Sequence, residues 1–159
     1  MRPVLATLLA LGAASAVLTA CEPAASRGPA ASRAEVEAAL RRYEAFTLAM
    51  AGDSLAACFT PDGELLREDG GVLRGPAAIG AFLRSFTGVH VDSVSMTSDT
   101  IQLAEPEAAQ WGTFAQVVRV EGHGVIHARG RFVMQWSRGA DGRWRIRRVM
   151  TQSFPRAGN

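Results

Sequence analysis

The sequence predicts an α+β domain in which helices cover one face of a curved β-sheet. Three observations lead there: helix-periodic segments fill the stretch up to Phe86, four long β-patterned segments follow Gly88, and turn-rich breaks separate those four. Helices first and a meander of long strands afterwards is the pattern of an α+β layout, in contrast to the alternation of helix and strand in a parallel sheet.

Before the domain comes a leader. Met1-Arg2 begins the chain, an apolar run extends from Val4 to Val17, and Leu18-Thr19-Ala20-Cys21 follows. A basic start, an apolar stretch of roughly fifteen residues and small residues before a cut describe a secretory leader. Such a stretch is short for a membrane span. The Leu-Thr-Ala-Cys tetrad resembles the lipobox of bacterial lipoproteins, which implies a signal peptide over 1–20, lipidation at Cys21 and a domain held at a membrane outside the cytoplasm. Acyl chains contribute about 0.8 kcal/mol per buried CH₂, so several of them anchor a protein durably.

Residues 21–32 combine that cysteine with Pro, Ala, Ser and Gly in no periodic order, the composition of a disordered tether. At ~3.5 Å per residue its reach is roughly 40 Å. The folded domain is then expected over 33–155, with a short tail at 156–159.

Ser32 followed by Glu35 is a capping box, and Val36, Leu40, Tyr43, Phe46 and Met50 recur at helical spacing, predicting a helix to about Ala51 that Gly52 ends. Asp53 is placed to cap a second short helix carrying Leu55, Cys58 and Phe59. Pro61-Asp62-Gly63 is expected to break the chain before a strand at Glu64 to Glu68. Asp69-Gly70-Gly71 turns into Val72-Leu73-Arg74, and Gly75-Pro76 opens a helix whose apolar stripe is Ile79, Phe82, Leu83 and Phe86. The strands are predicted at Val89 to Leu103, Ala108 to Glu121, Val125 to Ser137 and Arg143 to Phe154.

Charge and cysteine content narrow the functional classes. The chain carries 17 basic and 15 acidic residues, a formal +2, and no concentrated basic run, which argues against a nucleic-acid partner. Of the two cysteines, lipidation consumes Cys21, and Cys58 in an apolar run reads as core. His123 and His127, four apart across a turn into a strand, stand about 13 Å from each other if extended, too far to share an ion, and His90 is isolated. No metal and no cofactor is predicted.

Ala51-Gly52-Asp53-Ser54-Leu55 before Cys58-Phe59 and Pro61-Asp62-Gly63, then Leu73-Arg74-Gly75-Pro76-Ala77-Ala78-Ile79, then Asp141-Gly142-Arg143-Trp144-Arg145-Ile146 together resemble the SnoaL-like proteins of the nuclear transport factor 2-like superfamily. That resemblance implies a cone-shaped barrel, three helices closing over a strongly bent mixed sheet with an apolar cavity at the wide end. Ketosteroid isomerases in this superfamily use a Tyr on the first helix, an Asp base on the first strand and a second Asp deep in the sheet. Those positions fall here at about Ala45, Arg67 and Phe132, so the acid–base set does not transfer. Tyr43 stands two residues from the first of them, and Glu68 and Asp69 lie beyond the second.

Strand alternation supplies the candidate cavity residues. If Trp144 and Ile146 face inward, Arg148, Met150 and Gln152 follow them, with Arg143, Arg145 and Arg147 outward and Glu105, Glu107 or Glu121 as possible partners; a local bulge would break that series. Phe132, Met134 and Trp136 share one face. With Phe82, Trp111, Phe114 and Gln116 these give a predicted ligand-binding set of Phe82, Trp111, Phe114, Gln116, Met134, Trp136, Arg148, Met150 and Gln152. The preferred reading is binding of a small, mostly apolar molecule. The alternatives are a small-molecule isomerase, cyclase or hydrolase with Glu64 or Asp69 as base, and a non-catalytic interaction module. Apolar residues on both faces of Trp111–Val118 predict a covered outer sheet face, hence a homodimer.

Overall fold

The computed structural model describes residues Ser32–Pro155. The leader, Cys21, the tether to residue 31 and the tail 156–159 lie outside the described residues.

Helix α1 covers Arg33–Leu48, and its capping box is formed: Glu35 N–H donates to Ser32 Oγ at 3.3 Å and Ser32 N–H to Glu35 Oε2 at 3.1 Å. Val36, Ala39 and Leu40 are its buried stripe. The helix closes earlier than predicted, because Met50 rather than Gly52 takes the left-handed conformation, φ 50°. For an L-residue that costs roughly 1–2 kcal/mol, and the exchange puts the Met50 side chain on the cavity described below.

Gly52 instead begins α2, Gly52–Ala56, where a Cβ would lie 3.2 Å from Arg84 Cγ. Asp53 makes no cap; it sits in the first turn and pairs with Arg84. Cys58 and Phe59 are not helical. Cys58 is buried, its thiol donating to Ser54 O at 3.4 Å, and Phe59 starts β1, Phe59–Leu66. Pro61-Asp62-Gly63 does not end an element either. It forms an irregularity inside β1, where the pairing with β6 shifts between Phe59 and Glu64. Gly63 is needed at that point, since a Cβ would fall 2.9 Å from Ile146 O.

Strand β2 (Val72–Arg74) hairpins onto β1, and α3 (Gly75–Arg84) follows with Pro76 in its first turn and Ile79 fully buried. The long strands are β3 (Val89–Ala104), β4 (Glu107–Val120), β5 (Gly124–Arg138) and β6 (Trp144–Ser153), each within about a residue of its predicted bounds. The sheet order is β2-β1-β6-β5-β4-β3, parallel only between β1 and β6. It is a mixed sheet with an α+β arrangement, as predicted.

Two devices bend it. Bulges interrupt the β3–β4 and β5–β6 ladders, and glycines allow backbones to touch: a Cβ on Gly112 would stand 1.9 Å from Thr97 O, and one on Gly130 2.0 Å from Gln152 O. Bending leaves the two ends of the concave face unlike. Toward the β3–β4 turn it is filled by Ile101, Ala108, Met134, Trp136, Trp144 and Ile146, all buried. At the other end, toward Val89 and Val118, it is hollow.

The bulge opposite Gln135 and Trp136 changes the faces of β6. Ile146 pairs with Trp136 and Arg148 with Gln135, so the inward series runs Trp144, Ile146, Val149. Arg148, Met150 and Gln152 are therefore on the outer side, contrary to strict alternation. The arginine row also finds other acids than those expected: Arg145 and Arg143 pair with Asp141, and Arg147 with Asp62.

Candidate functional site

The hollow end holds a cavity of about 390 Å³. Helix α1 gives Tyr43 and Thr47 at positions i and i+4, one helical face, and Met50 joins them from the left-handed turn after the helix. Leu55 closes it from α2, Leu83 from α3, Phe86 from the segment that follows α3, and Leu65 from β1. On β3, the bulge between Val91 and Ser93 keeps both Val91 and Val94 inward, with Met96 beyond them. Phe114, Gln116 and Val118 alternate along β4, and Thr151 and Ser153 continue the shifted series of β6. The wall is mainly aliphatic and aromatic, with a few polar groups, which is the ordinary make-up of a small-molecule pocket.

Those polar groups differ in their freedom. Thr47 Oγ1 is spent on Tyr43 O at 2.9 Å. The Tyr43 hydroxyl and the Gln116 amide have no hydrogen-bond partner among the described residues. Burial pushes the Tyr43 phenol up to about 12, with the neighbouring Cys58 adding in the same direction, so the ring is neutral at ordinary pH. Burial likewise pushes the Cys58 thiol up, a packed group rather than a nucleophile. Glu68 borders the cavity where β1 ends. Its Oε1 accepts from Ser153 N–H at 2.8 Å and Ser153 Oγ at 2.7 Å.

Of the predicted ligand set, the structure brings Phe114 and Gln116 together at this cavity. Phe82 stands beside it, edge-on to Phe86 at 4.9 Å and beneath the Arg67 guanidinium at 4.9 Å. Met134 and Trp136 are fully packed at the filled end. Trp111 points to the opposite face of the sheet, across from Val133, and Arg148, Met150 and Gln152 are on that outer side for the reason given above. Neither suggested base reaches the hollow. Glu64 is held by Arg148 at 2.6 Å and Arg74 at 3.0 Å, which lowers its pKa through the Arg148 hydrogen bond above all. Asp69 pairs with Arg67 and caps Gly71 N–H in the turn. His90, His123 and His127 are exposed, and no group of three His, Cys, Asp or Glu suited to a metal exists among the described residues.

Sequence reasoning passed over Thr47, Thr151 and Ser153, and placed Glu68 beyond the expected base position without including it in the site. The helical spacing from Tyr43 to Thr47 was a usable signal. For Thr151 and Ser153 none existed, since an unseen bulge decides which way they face.

Residues 29–150 match the SnoaL-like domain family. The chain belongs to the SnoaL-like family. No curated protein matches the sequence. Among solved structures, this SnoaL-like domain is similar to a ketosteroid isomerase-like protein from Erwinia carotovora atroseptica, with TM-score 0.69 and 20% identity over 77% of this chain and 95% of that one. A Catenulispora acidiphila protein in complex with S-DNPA gives 0.66 and 20%, over 76% and 91%. A putative Ca/calmodulin-dependent kinase II association domain from Exiguobacterium sibiricum gives 0.67 and 12%, over 82% and 99%. At such identities the SnoaL-like fold is what they share.

Proposed function

We propose that this SnoaL-like domain binds a small, largely apolar molecule in the cavity at its hollow end, outside the cytoplasm, where lipidated Cys21 holds it to a bacterial membrane. The observation that carries the reading is the cavity itself. It lies within the lower part of the usual range for ligand sites, about 300–1,000 Å³, and its wall offers apolar area with a neutral phenol and a free amide to orient a guest. The two carboxylates suggested as bases are engaged in ion pairs away from the cavity, so neither serves it as a base. The similar Catenulispora acidiphila protein, solved in complex with S-DNPA, is consistent with such a use of the fold.

A neutral aromatic probe, 1-naphthylmethanol, tests the cavity reading by titration calorimetry. Saturable binding that Leu83→Trp abolishes, with circular dichroism unchanged, is the expected result. Absence of binding, or indifference to Leu83→Trp, refutes it. The anchor rests on the Leu18-Thr19-Ala20-Cys21 motif. Cys21→Ala is expected to release the protein from membranes, and continued membrane partitioning of that variant refutes lipidation there.

A homodimer through the outer sheet face completes the proposal. Trp111, Val133 and Met150 are successive cross-strand neighbours on β4, β5 and β6, and Val133 and Met150 are 42% and 44% exposed. An apolar strip of this kind in the middle of a sheet face is suited to a second copy.

A further inference from the structure

We infer that the cavity's ligand is a cationic amphiphile, an apolar body carrying one protonated amine that Glu68 holds at the rim. This rests on the cavity being a ligand site, and it adds the charge of what enters.

Among the described residues Glu68 is the one acidic or basic side chain on the wall; Tyr43 keeps its proton. No basic side chain among the described residues lines the hollow. Those closest in sequence or on the adjoining strand are committed: Arg67 to Asp69 and the face of Phe82, Arg148 to Glu64. Glu68 itself forms no ion pair among the described residues. A lone carboxylate at an exposed rim repels an anion, offers little to a neutral guest, and attracts a cation by the modest amount of a solvent-screened ion pair.

The carboxylate is also held ready. Both hydrogen bonds from Ser153 go to Oε1, which fixes the group against β6 and leaves Oε2 without a donor among the described residues. Although Glu68 is exposed, holding it on Ser153 lowers the ordering cost that an untethered glutamate meets on binding. An ammonium N–H donates to Oε2 while the apolar body lies against Leu83, Met96 and Phe114. Aromatic rings of Phe86 and Phe114 on the same wall favour a positive charge at their faces.

Three probes of one shape separate this from the underlying reading: 1-naphthylmethylamine, 1-naphthylmethanol and 1-naphthoate, titrated into the full chain by calorimetry at low and high salt. The amine is expected to bind roughly threefold to tenfold tighter than the alcohol, the span of a partly exposed ion pair, and the carboxylate more weakly than either. Salt should erode both the amine's advantage and the carboxylate's disadvantage and leave the alcohol unchanged. Glu68→Gln keeps an oxygen for Ser153 and loses the charge, so it should bring the amine to the alcohol's affinity and leave the alcohol unchanged. If the alcohol binds and Leu83→Trp blocks it, but the amine is no tighter or ignores Glu68→Gln, the inference is overturned while the cavity reading stands. If none of the three binds, both fall.

Discussion

Trp136 Nε1 donates to Gln110 Oε1 at 2.8 Å, and Gln110 Nε2 donates to Ser98 Oγ at 2.7 Å, so one fully buried amide links β5, β4 and β3 across the filled end of the sheet. A buried amide between two partners is stabilising only while both are present. Gln110→Leu strands the indole N–H in the core and should cost about 1–3 kcal/mol in urea denaturation. Trp136→Phe in the same chain removes that stranded donor. The double variant should therefore lose less than the sum of the two single losses, and strict additivity would show that the network carries no coupling.

Gly112 marks where the sheet folds over itself. An added Cβ would meet the Thr97 carbonyl oxygen at 1.9 Å, a backbone atom that cannot move aside without opening the β3–β4 ladder. Gly112→Ala should cost about 3 kcal/mol or more, the upper end of overpacking losses. Ala115→Ser on the exposed side of the same strand should stay within about 0.5 kcal/mol. Equal denaturation midpoints for the two variants would dissociate the curvature from this contact.

Arg148 is bonded to Glu64 across the parallel β1–β6 pair, Nε at 2.7 Å and Nη2 at 2.6 Å, with Arg74 on the other carboxylate oxygen. These partners depress the Glu64 pKa in the folded chain. The ionised form therefore favours folding above the unfolded carboxylate value, and that contribution disappears as pH falls through the depressed folded value. Glu64→Gln should flatten the acid limb of the stability curve while leaving its neutral-pH shape alone. An unchanged acid limb would mean that solvent screens the cluster completely.

Which parts of this were readable beforehand follows from what sets them. The strands from Val89 onward were legible because hairpin turns and glycines punctuate them, and the capping box at Ser32 and Glu35 announced α1. The site was less so. Pro61-Asp62-Gly63 looks like a break because a bulge uses the same residues as a turn, and the shift at Arg147-Arg148 exchanges the faces of everything after it on β6. Periodicity assumes an uninterrupted strand, and this sheet bends at its interruptions. Phe114 and Gln116, on the part of β4 whose alternation is unbroken, line the cavity, whereas Arg148, Met150 and Gln152, beyond a bulge, face the outer side.

Val133 stands between Trp111 and Met150 on the outer face. If that strip joins two copies, a charge at its centre must be desolvated twice in the symmetric contact. Val133→Glu should convert a dimer into a monomer in light scattering with little change in far-ultraviolet circular dichroism. A wild-type chain that is monomeric at high concentration refutes the dimer directly.

Tyr43 is the single tyrosine of the chain, so its ionisation can be followed without overlap. Burial against the cavity wall raises the folded phenol to about 12, whereas an unfolded tyrosine titrates near 10. Between those values the unfolded chain gives up its proton and the folded chain keeps it. Folding stability is thus unaffected by this group below about pH 10 and declines as pH rises toward 12, by no more than about 3 kcal/mol. Tyrosinate absorbance should stay absent from the folded protein at pH values where free tyrosine is largely ionised, and should emerge together with unfolding. Tyr43→Phe should remove the alkaline decline and the signal. A folded chain that shows tyrosinate near pH 10 would place the hydroxyl in open water, and with it would go the dry, apolar character of the wall on which the ligand reading depends.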